Sequence, residues 1–104
     1  MVKGYKIKIL PIVKLDLRKA KKWYQEKSAN LAHEFKIEVN KEIDYIRTYP
    51  EHYQIKYKEL SQSLAPRFPY AIFYSVELEH KQIIIFGVLH TSRNPLMIRE
   101  RMRK

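Results

Sequence analysis

The chain has 104 residues and no cysteine, and its 21 Lys and Arg against 11 Asp and Glu give a formal net charge of +10. This length predicts a single domain over residues 1–104 with one two-layer core, and it leaves no room for a separate cofactor domain. The lack of cysteine excludes disulfides and Cys-based zinc or redox chemistry, and it fits a cytoplasmic protein. The charge favours a polyanion or an acidic protein as the partner.

The sequence also lacks the motifs of several common classes of protein. No apolar run approaches the length of a membrane span, and the Lys-interrupted N-terminus is unlike a signal peptide. With only two glycines there is neither a phosphate-binding loop nor a dinucleotide fingerprint. The histidines show no metal-ligand spacing, so we expect neither a metal nor a cofactor.

The N-terminal half predicts a strand followed by two amphipathic helices. Residues 5–10 alternate in polarity as a half-buried strand does, and Pro11 ends that strand. Apolar residues then recur at spacings of three and four over residues 13–27 and again from residue 31 to about 48. The break at Ser28-Ala29-Asn30 offers a helix cap from Ser28 or Asn30. The two apolar stripes are Val13, Leu17, Ala20 and Tyr24 in the first helix, and Leu31, Phe35, Val39, Ile43 and Ile46 in the second.

Beyond Tyr49-Pro50 the apolar period changes to two, which predicts strands. Three are expected, and the third is apolar on both faces, as for a central strand covered on both sides. They are Tyr53–Tyr57, Leu64–Leu78 and Ile83–Leu89, separated by a polar loop at Ser61-Gln62-Ser63 and a turn at Glu79-His80-Lys81.

The predicted fold class is α+β with the order β-α-α-β-β-β. A helical hairpin packs on one face of a small, mainly antiparallel sheet, followed by a short C-terminal helix or tail with Pro95 in its first turn. The opposite face of the sheet is expected to be open to a partner. The last strand would carry His90 and Arg93 to one edge of the sheet, a plausible place to grip a phosphate-rich partner.

Two sequence patterns carry a resemblance to a known family. Residues 69–76 read P-Y-x-I-x-Y-x-V, and residues 83–95 read I-x-I-x-x-V-x-H-x-x-R-x-P. Together with the length, basicity and order of elements, they resemble the RelE/ParE toxins of type II toxin–antitoxin systems over nearly the whole chain. The resemblance implies a growth-arresting, plasmid-stabilising toxin neutralised by a cognate antitoxin with an acidic binding segment.

The resemblance leaves the mode of action open between two branches. RelE-like members are ribosome-dependent, metal-independent endoribonucleases that cut mRNA, and this is the expected function. ParE-like members inhibit DNA gyrase without hydrolysis, which is the alternative. A third possibility is an inactive relative, because Ala71 occupies the place where nuclease members often carry a phosphate-binding Arg.

For mRNA cleavage, the resemblance points to five candidate catalytic residues: Lys56, Lys58, Arg67, His90 and Arg93. The 2′-OH attacks the adjacent phosphate, so the protein needs only proton transfer, by His90 or a Lys, and cations on the phosphate. Four of the five residues have a structural alternative. The two Lys suit a solvated sheet face, Arg93 suits a salt bridge, and His90 suits a strand end hydrogen-bonded to backbone, which is the reading we favour for His90.

The C-terminal cations have three readings. They are Arg99, Arg101, Arg103 and Lys104. In the first reading they contact nucleic acid or the ribosome. In the second they receive an acidic antitoxin segment that orders on binding, and in the third they form a disordered tail.

Overall fold

The computed structural model describes residues 5–51, 55–57, 60–64, 67–92 and 96–102. The predicted α+β class and its order of elements are confirmed. The described part of the sheet has five strands in the order β1-β5-β4-β3-β2. The elements are β1 (Lys6–Ile9), α1 (Pro11–Gln25), α2 (Ala29–Thr48), β2 (Ile55–Tyr57), β3 (Leu60–Leu64), β4 (Tyr70–Glu77), β5 (Gln82–His90) and α3 (Leu96–Met102).

The helical hairpin turns where the sequence predicts, and its first helix begins at Pro11, two residues before the expected Val13. Pro11 occupies the first turn of α1, where its missing N–H costs no hydrogen bond. Ser28 caps α2, since its hydroxyl accepts the backbone N–H of Asn30 at 3.2 Å. The Leu10 N–H donates to the Ile85 carbonyl, so β1 runs into α1 while still attached to β5.

The hairpin packs on one face of the sheet through both predicted stripes, and this first core contains most of the buried side chains of the described residues. From α1 it takes Val13, Ala20 and Tyr24, with Leu17 at its margin. Rings of Tyr24, Phe35, Phe68 and Tyr70 meet with centroids 5.0 to 6.1 Å apart. Tyr70 and Tyr74 therefore pack beneath the helices, as their alternation with Ile72 and Val76 indicates.

The mixed sheet pairs β1 parallel to β5, and its other neighbouring strands are antiparallel. The predicted loop at Ser61-Gln62-Ser63 is wrong, because these residues form the middle of β3. Leu64 pairs with Ala71 across β3 and β4, so the predicted single strand from 64 to 78 is two strands. The Ser63 hydroxyl is buried and donates to the Glu42 carboxylate on α2, a contact between distant residues that polarity along the chain does not reveal.

The opposite face of the sheet carries a second core, so the expectation of an open face is wrong for this part of the molecule. Ile98 of helix α3 is fully buried and packs with Leu60, Ala71, Phe73 and Leu89. The central strand β5 is therefore covered on both faces, as its continuous apolar sequence predicts. A bulge opposite Phe73 and Tyr74 shifts the alternation of β5, so that Ile83, Ile85 and Val88 all face the first core.

Candidate functional site

The five candidate catalytic residues are not all placed by the structure. Arg93 and Lys58 lie outside the described residues, and Lys56 is described only through its backbone in β2. His90 ends β5 and Arg67 lies just before β4. Because Tyr70 pairs with His90 across β4 and β5, the chain near Arg67 and the end of β5 share one end of the sheet.

His90 uses one ring nitrogen to close the turn that follows β5. Its Nδ1 accepts the backbone N–H of Ser92 at 3.1 Å and lies 2.8 Å from the Ser92 hydroxyl. A backbone N–H can only donate, so this hydrogen bond forms only with the tautomer that carries its hydrogen on Nε2. The ring also stands edge-on to Tyr70, with centroids 5.3 Å apart. This geometry matches the reading of His90 as a strand-terminal residue hydrogen-bonded to backbone.

Arg67 is engaged with the helical hairpin. Its guanidinium donates to the Glu34 carboxylate at 2.7 Å and lies over the Phe68 ring, with 5.7 Å from Cζ to the ring centroid. Both side chains of the ion pair remain substantially exposed. A phosphate would have to compete with Glu34 for this guanidinium.

Lys56 lies far from His90 in the sheet. Strands β3 and β4 separate β2 from β5, which corresponds to about 14 Å across the sheet at the usual strand spacing. The register places β2 level with Tyr74 and Ile85, five residues before His90 on β5. The backbone of Lys56 therefore lies too far from His90 for the two residues to meet at one reacting phosphate.

Ala71 faces the second core. It is 1% exposed and packs with Phe73, Leu89 and Ile98 beneath α3. An Arg at this position would place a charge in an apolar layer, which is costly without a partner. Ala71, at the place where nuclease members often carry Arg, is therefore part of the packing of the second core.

A cleft, which we call the His90 cleft, lies between α1 and the end of β5, with α3 at its rim. Its volume is about 460 Å³, and Tyr70, Val88, Leu89, His90 and Met97 lie along it opposite α1. The α1 wall presents exposed apolar side chains at Ile12, Leu15 (43% exposed) and Trp23 (52% exposed), with Lys19 among them. Large apolar side chains left in water on one wall of a cleft are typical of a surface that binds another macromolecule.

An ion pair at the base of the His90 cleft fixes α3 to the rest of the fold. Arg101 donates to both carboxylate oxygens of Asp16, at 2.7 and 2.9 Å, and to the Phe86 carbonyl at 3.0 Å. At the Asp16 end of the ion pair, the carboxylate also accepts the backbone N–H of Val88 at 3.1 Å. The pair thus satisfies backbone groups on the β1 side of β5 beyond Ile85, where the described pairing with β1 has ended, while β4 continues to pair with the other side.

Sequence reasoning missed this bridge. Asp16 and Arg101 are 85 positions apart, and the sequence alone assigns Arg101 to a cationic tail. The signal was a lone Asp on a helix whose other charged side chains are all Lys or Arg. Because Arg101 is only 15% exposed and already bonded, it belongs to the fold rather than to a surface open to nucleic acid.

The pKa of one side chain in the first core, Tyr24, is raised by its surroundings. Burial raises the pKa of the Tyr24 hydroxyl above its ordinary value of 10.0, and the nearby Tyr70 raises it further. Both effects disfavour the tyrosinate, which is the charged form. Tyr24 therefore keeps its proton in the folded chain to a higher pH than a solvated tyrosine does.

The described residues include neither a cluster of metal ligands nor a membrane-spanning helix. No three His, Asp or Glu side chains in this part of the chain converge as they would around a metal ion. None of the described helices combines the length and the apolar content that a bilayer crossing requires.

A family model covers most of the chain. The model of the family described as ParE toxin of type II toxin-antitoxin system, parDE, matches residues 7–95. That span runs from β1 through the end of β5 and includes the α1 wall, Asp16 and His90. No curated protein sequence matches the chain.

Proposed function

Because the chain belongs to the ParE toxin family of type II toxin–antitoxin systems, we propose that it arrests growth by binding its target rather than by cutting RNA. The target would be DNA gyrase, as in ParE-like toxins. An antitoxin would neutralise the toxin by covering its surface. The observation that carries the proposal is the exposed apolar α1 wall, which lies in the same cleft as His90, while the two described candidate side chains, His90 and Arg67, are engaged in other contacts.

The state of His90 supports the binding mechanism. To accept a proton at Nε2, His90 would need its hydrogen on Nδ1, and that tautomer loses the hydrogen bond from the Ser92 N–H. Arg67 is paired with Glu34, and the backbone of Lys56 lies on a remote strand. Metal-free RNA cleavage requires proton transfer and charge stabilisation at one phosphate, so this arrangement suits it poorly.

The α1 wall of the His90 cleft supplies the binding surface in this proposal. Leu15 and Trp23 are exposed on one face of a helix, and Lys27 lies over the Trp23 ring at 4.4 Å. An aromatic anchor flanked by aliphatic side chains and cations is the composition found at the centre of protein interfaces. Gyrase inhibition needs such a surface and no residue that performs chemistry.

A pair of matched substitutions tests the proposal in a sensitive cell. Leu15→Glu places a charge on the α1 wall, whereas Ile37→Glu places one on α2 at a side chain that is equally exposed, at 43%. We expect Leu15→Glu to abolish growth arrest and Ile37→Glu to retain it. Wild-type expression should accumulate cleaved DNA while primer extension shows intact mRNA. Equal toxicity of the two variants would remove the α1 wall from the mechanism.

The enzymatic alternative rests on the high positive charge of the chain and on the position of His90 in the cleft. His90→Asn separates the two mechanisms, because its side-chain oxygen can still accept the Ser92 N–H but cannot transfer a proton. A nuclease that used His90 would lose about 100-fold or more in mRNA cleavage. Cut mRNA in wild-type cells, lost in this variant, would establish the alternative.

A further inference from the structure

One face of α1 carries a row of cations, and we call Lys14, Arg18, Lys21 and Lys22 the cationic stripe. They recur at spacings of three and four, which places them side by side along the helix. All four are exposed, and none forms an ion pair with another described residue. The single acidic residue of α1, Asp16, lies on another face in the ion pair at the base of the His90 cleft. The cationic stripe therefore presents positive charge that no described carboxylate offsets.

Helix α2 adds to the cationic stripe across the groove between the two helices of the hairpin. Lys36 and Asn40 line this groove opposite Lys14, Arg18 and Lys21. Both are exposed, and the described residues that line the groove include no carboxylate. A fifth cation and an amide that can donate hydrogen bonds thus lie beside the stripe.

The groove beneath these cations offers little apolar surface to a partner. Phe35 and Val39 line it but are only 1% and 2% exposed, and Leu17 is half-buried at the margin of the first core. Protein interfaces are built around apolar or aromatic anchors, such as Trp23 on the α1 wall, and the cationic stripe contains none. Cations without an apolar centre match the phosphate backbone of a nucleic acid better than they match a protein.

We propose that the cationic stripe, together with Lys36, binds the phosphate backbone of duplex DNA. The stripe contains no exposed aromatic side chain on which an unpaired base would stack, which favours a duplex over a single strand. From Lys14 to Lys22 it extends about 12 Å along the helix axis. This length is comparable to the rise of about three or four phosphates on one strand. Contacts to phosphates read no bases, so the binding would be independent of sequence.

Binding of DNA gives the cationic stripe a role in arrest, and this role rests on the proposed function. The α1 wall and the stripe lie on neighbouring faces of one helix. A toxin bound to gyrase through the α1 wall would thus have the stripe free to contact the duplex that gyrase holds. Two linked contacts raise the overall affinity, so the toxin would bind the complex of gyrase and DNA more tightly than gyrase alone.

The test measures binding of the full chain to a short fluorescent duplex DNA by anisotropy, over a series of salt concentrations and without gyrase. The stripe pair, Lys14→Gln/Lys21→Gln, removes two cations from the proposed contact. The control pair, Lys8→Gln/Lys41→Gln, makes the same change of charge at exposed positions outside the stripe and the groove. The slope of log affinity against log salt reports the number of phosphates that the chain contacts.

We expect the stripe pair to weaken binding about tenfold or more at low salt and to reduce the slope by about 2, whereas the control pair should change the slope by less than about 0.5. Equal losses in the two variants would reduce the effect to overall charge and overturn the proposal. So would polyglutamate that displaces the duplex as well as unlabelled DNA does, because an acidic protein would then be an equal occupant. Tighter binding of duplex RNA, with the same dependence on the stripe, would overturn the assignment to DNA.

Inhibition of supercoiling tests the role in arrest separately. The stripe pair should require about tenfold more protein for half-inhibition of gyrase than the control pair does. Lost DNA binding with undiminished inhibition would overturn this role. DNA binding through the stripe by a chain that leaves gyrase unaffected would support the DNA site and contradict the proposed target, so the two proposals fail separately.

Circular dichroism and thermal melting establish that each variant is folded. Should the stripe pair fail to fold, Lys14→Gln alone takes its place against Lys8→Gln. The single variant should reduce the salt slope by about 1, and its control should leave the slope unchanged. Equal slopes in these two single variants would likewise overturn the proposal.

Discussion

At the scale of single residues, the bridge between Asp16 and Arg101 stands out because both partners are largely withdrawn from water, with 8% and 15% exposure. Each end is further bonded to the backbone of β5, at Val88 and Phe86. Removing one partner leaves the other charge without its counterion in a site of low polarity. The bridge therefore acts as a structural joint between α1, β5 and α3.

Asp16→Asn should destabilise the fold by about 3 kcal/mol, measured as a fall in the free energy of unfolding in urea. The matched control is Asp44→Asn, which breaks the exposed bridge to Arg47 and should cost less than about 1 kcal/mol. Similar losses in the two variants would show that burial of the Asp16 bridge has no energetic consequence.

Tyr24 predicts a specific dependence of stability on pH. Its pKa is raised in the folded chain, by burial first and by Tyr70 second, so its contribution is complete below the unfolded pKa near 10.0 and is lost as pH rises through the higher folded value. Tyr24→Phe cannot ionise and should lack this loss. Unfolding free energies measured from pH 9 to 11 should show wild type falling relative to Tyr24→Phe only above about pH 10. Parallel curves would contradict the assignment.

At the scale of elements, the seating of α3 depends on a glycine in β5. A Cβ built at Gly87 would lie 2.7 Å from Ile98 Cδ1 and 2.9 Å from Arg101 Nη1. Both contacts are too close, and both belong to α3. The backbone of β5 and this helix approach each other as closely as they do because position 87 has no side chain.

Gly87→Ala should displace α3 and destabilise the fold by about 1–3 kcal/mol. Hydrogen exchange should show faster exchange of α3 amides, whereas amides of α2 should remain protected. Gln82→Ala, at the other end of the same strand, is the control and should leave α3 unchanged. Unaltered exchange in α3 of Gly87→Ala would indicate that Ile98 and Arg101 can move aside at no cost.

The sequence predicts those elements whose signals are local. The stripes from Val13 to Tyr24 and from Leu31 to Ile46, and the cap at Ser28, depend on spacing within one helix, and the structure confirms them. Strand β3 was missed because Ser61 and Ser63 are polar, and the partners that hold it, β2, β4 and Glu42, are set by the tertiary fold. The covering of the second face by α3 depends on Asp16, which is distant in sequence.

For the candidate site too, features with a local sequence signal were predicted, and features set by the tertiary fold were not. The end of β5 was predicted to within one residue, since the expected strand Ile83–Leu89 stops just before His90. The separation of Lys56 from His90 follows from the order of strands in the sheet, which two-residue periodicity does not encode. The tautomer of His90 depends on the Ser92 N–H, which is fixed by a turn geometry rather than by residue type.

At the scale of the whole molecule, α1 organises the surface. One face is buried in the first core, a second forms the apolar wall of the His90 cleft, and a third carries the exposed cations Lys14, Arg18 and Lys21. A helix that carries three different surfaces is consistent with a toxin that binds both a target and an antitoxin. The net charge of +10 would speed the approach of either partner if that partner is acidic.

The most direct test of the central claim, arrest by binding rather than by RNA cleavage, places the purified chain in two reconstituted reactions. One contains DNA gyrase with supercoiled plasmid, and the other contains ribosomes translating a defined mRNA. We predict inhibited supercoiling with accumulated cleaved DNA in the first reaction and intact mRNA in the second, with Leu15→Glu inactive and Ile37→Glu active on gyrase. Cleavage of the mRNA with unimpaired gyrase would contradict the account.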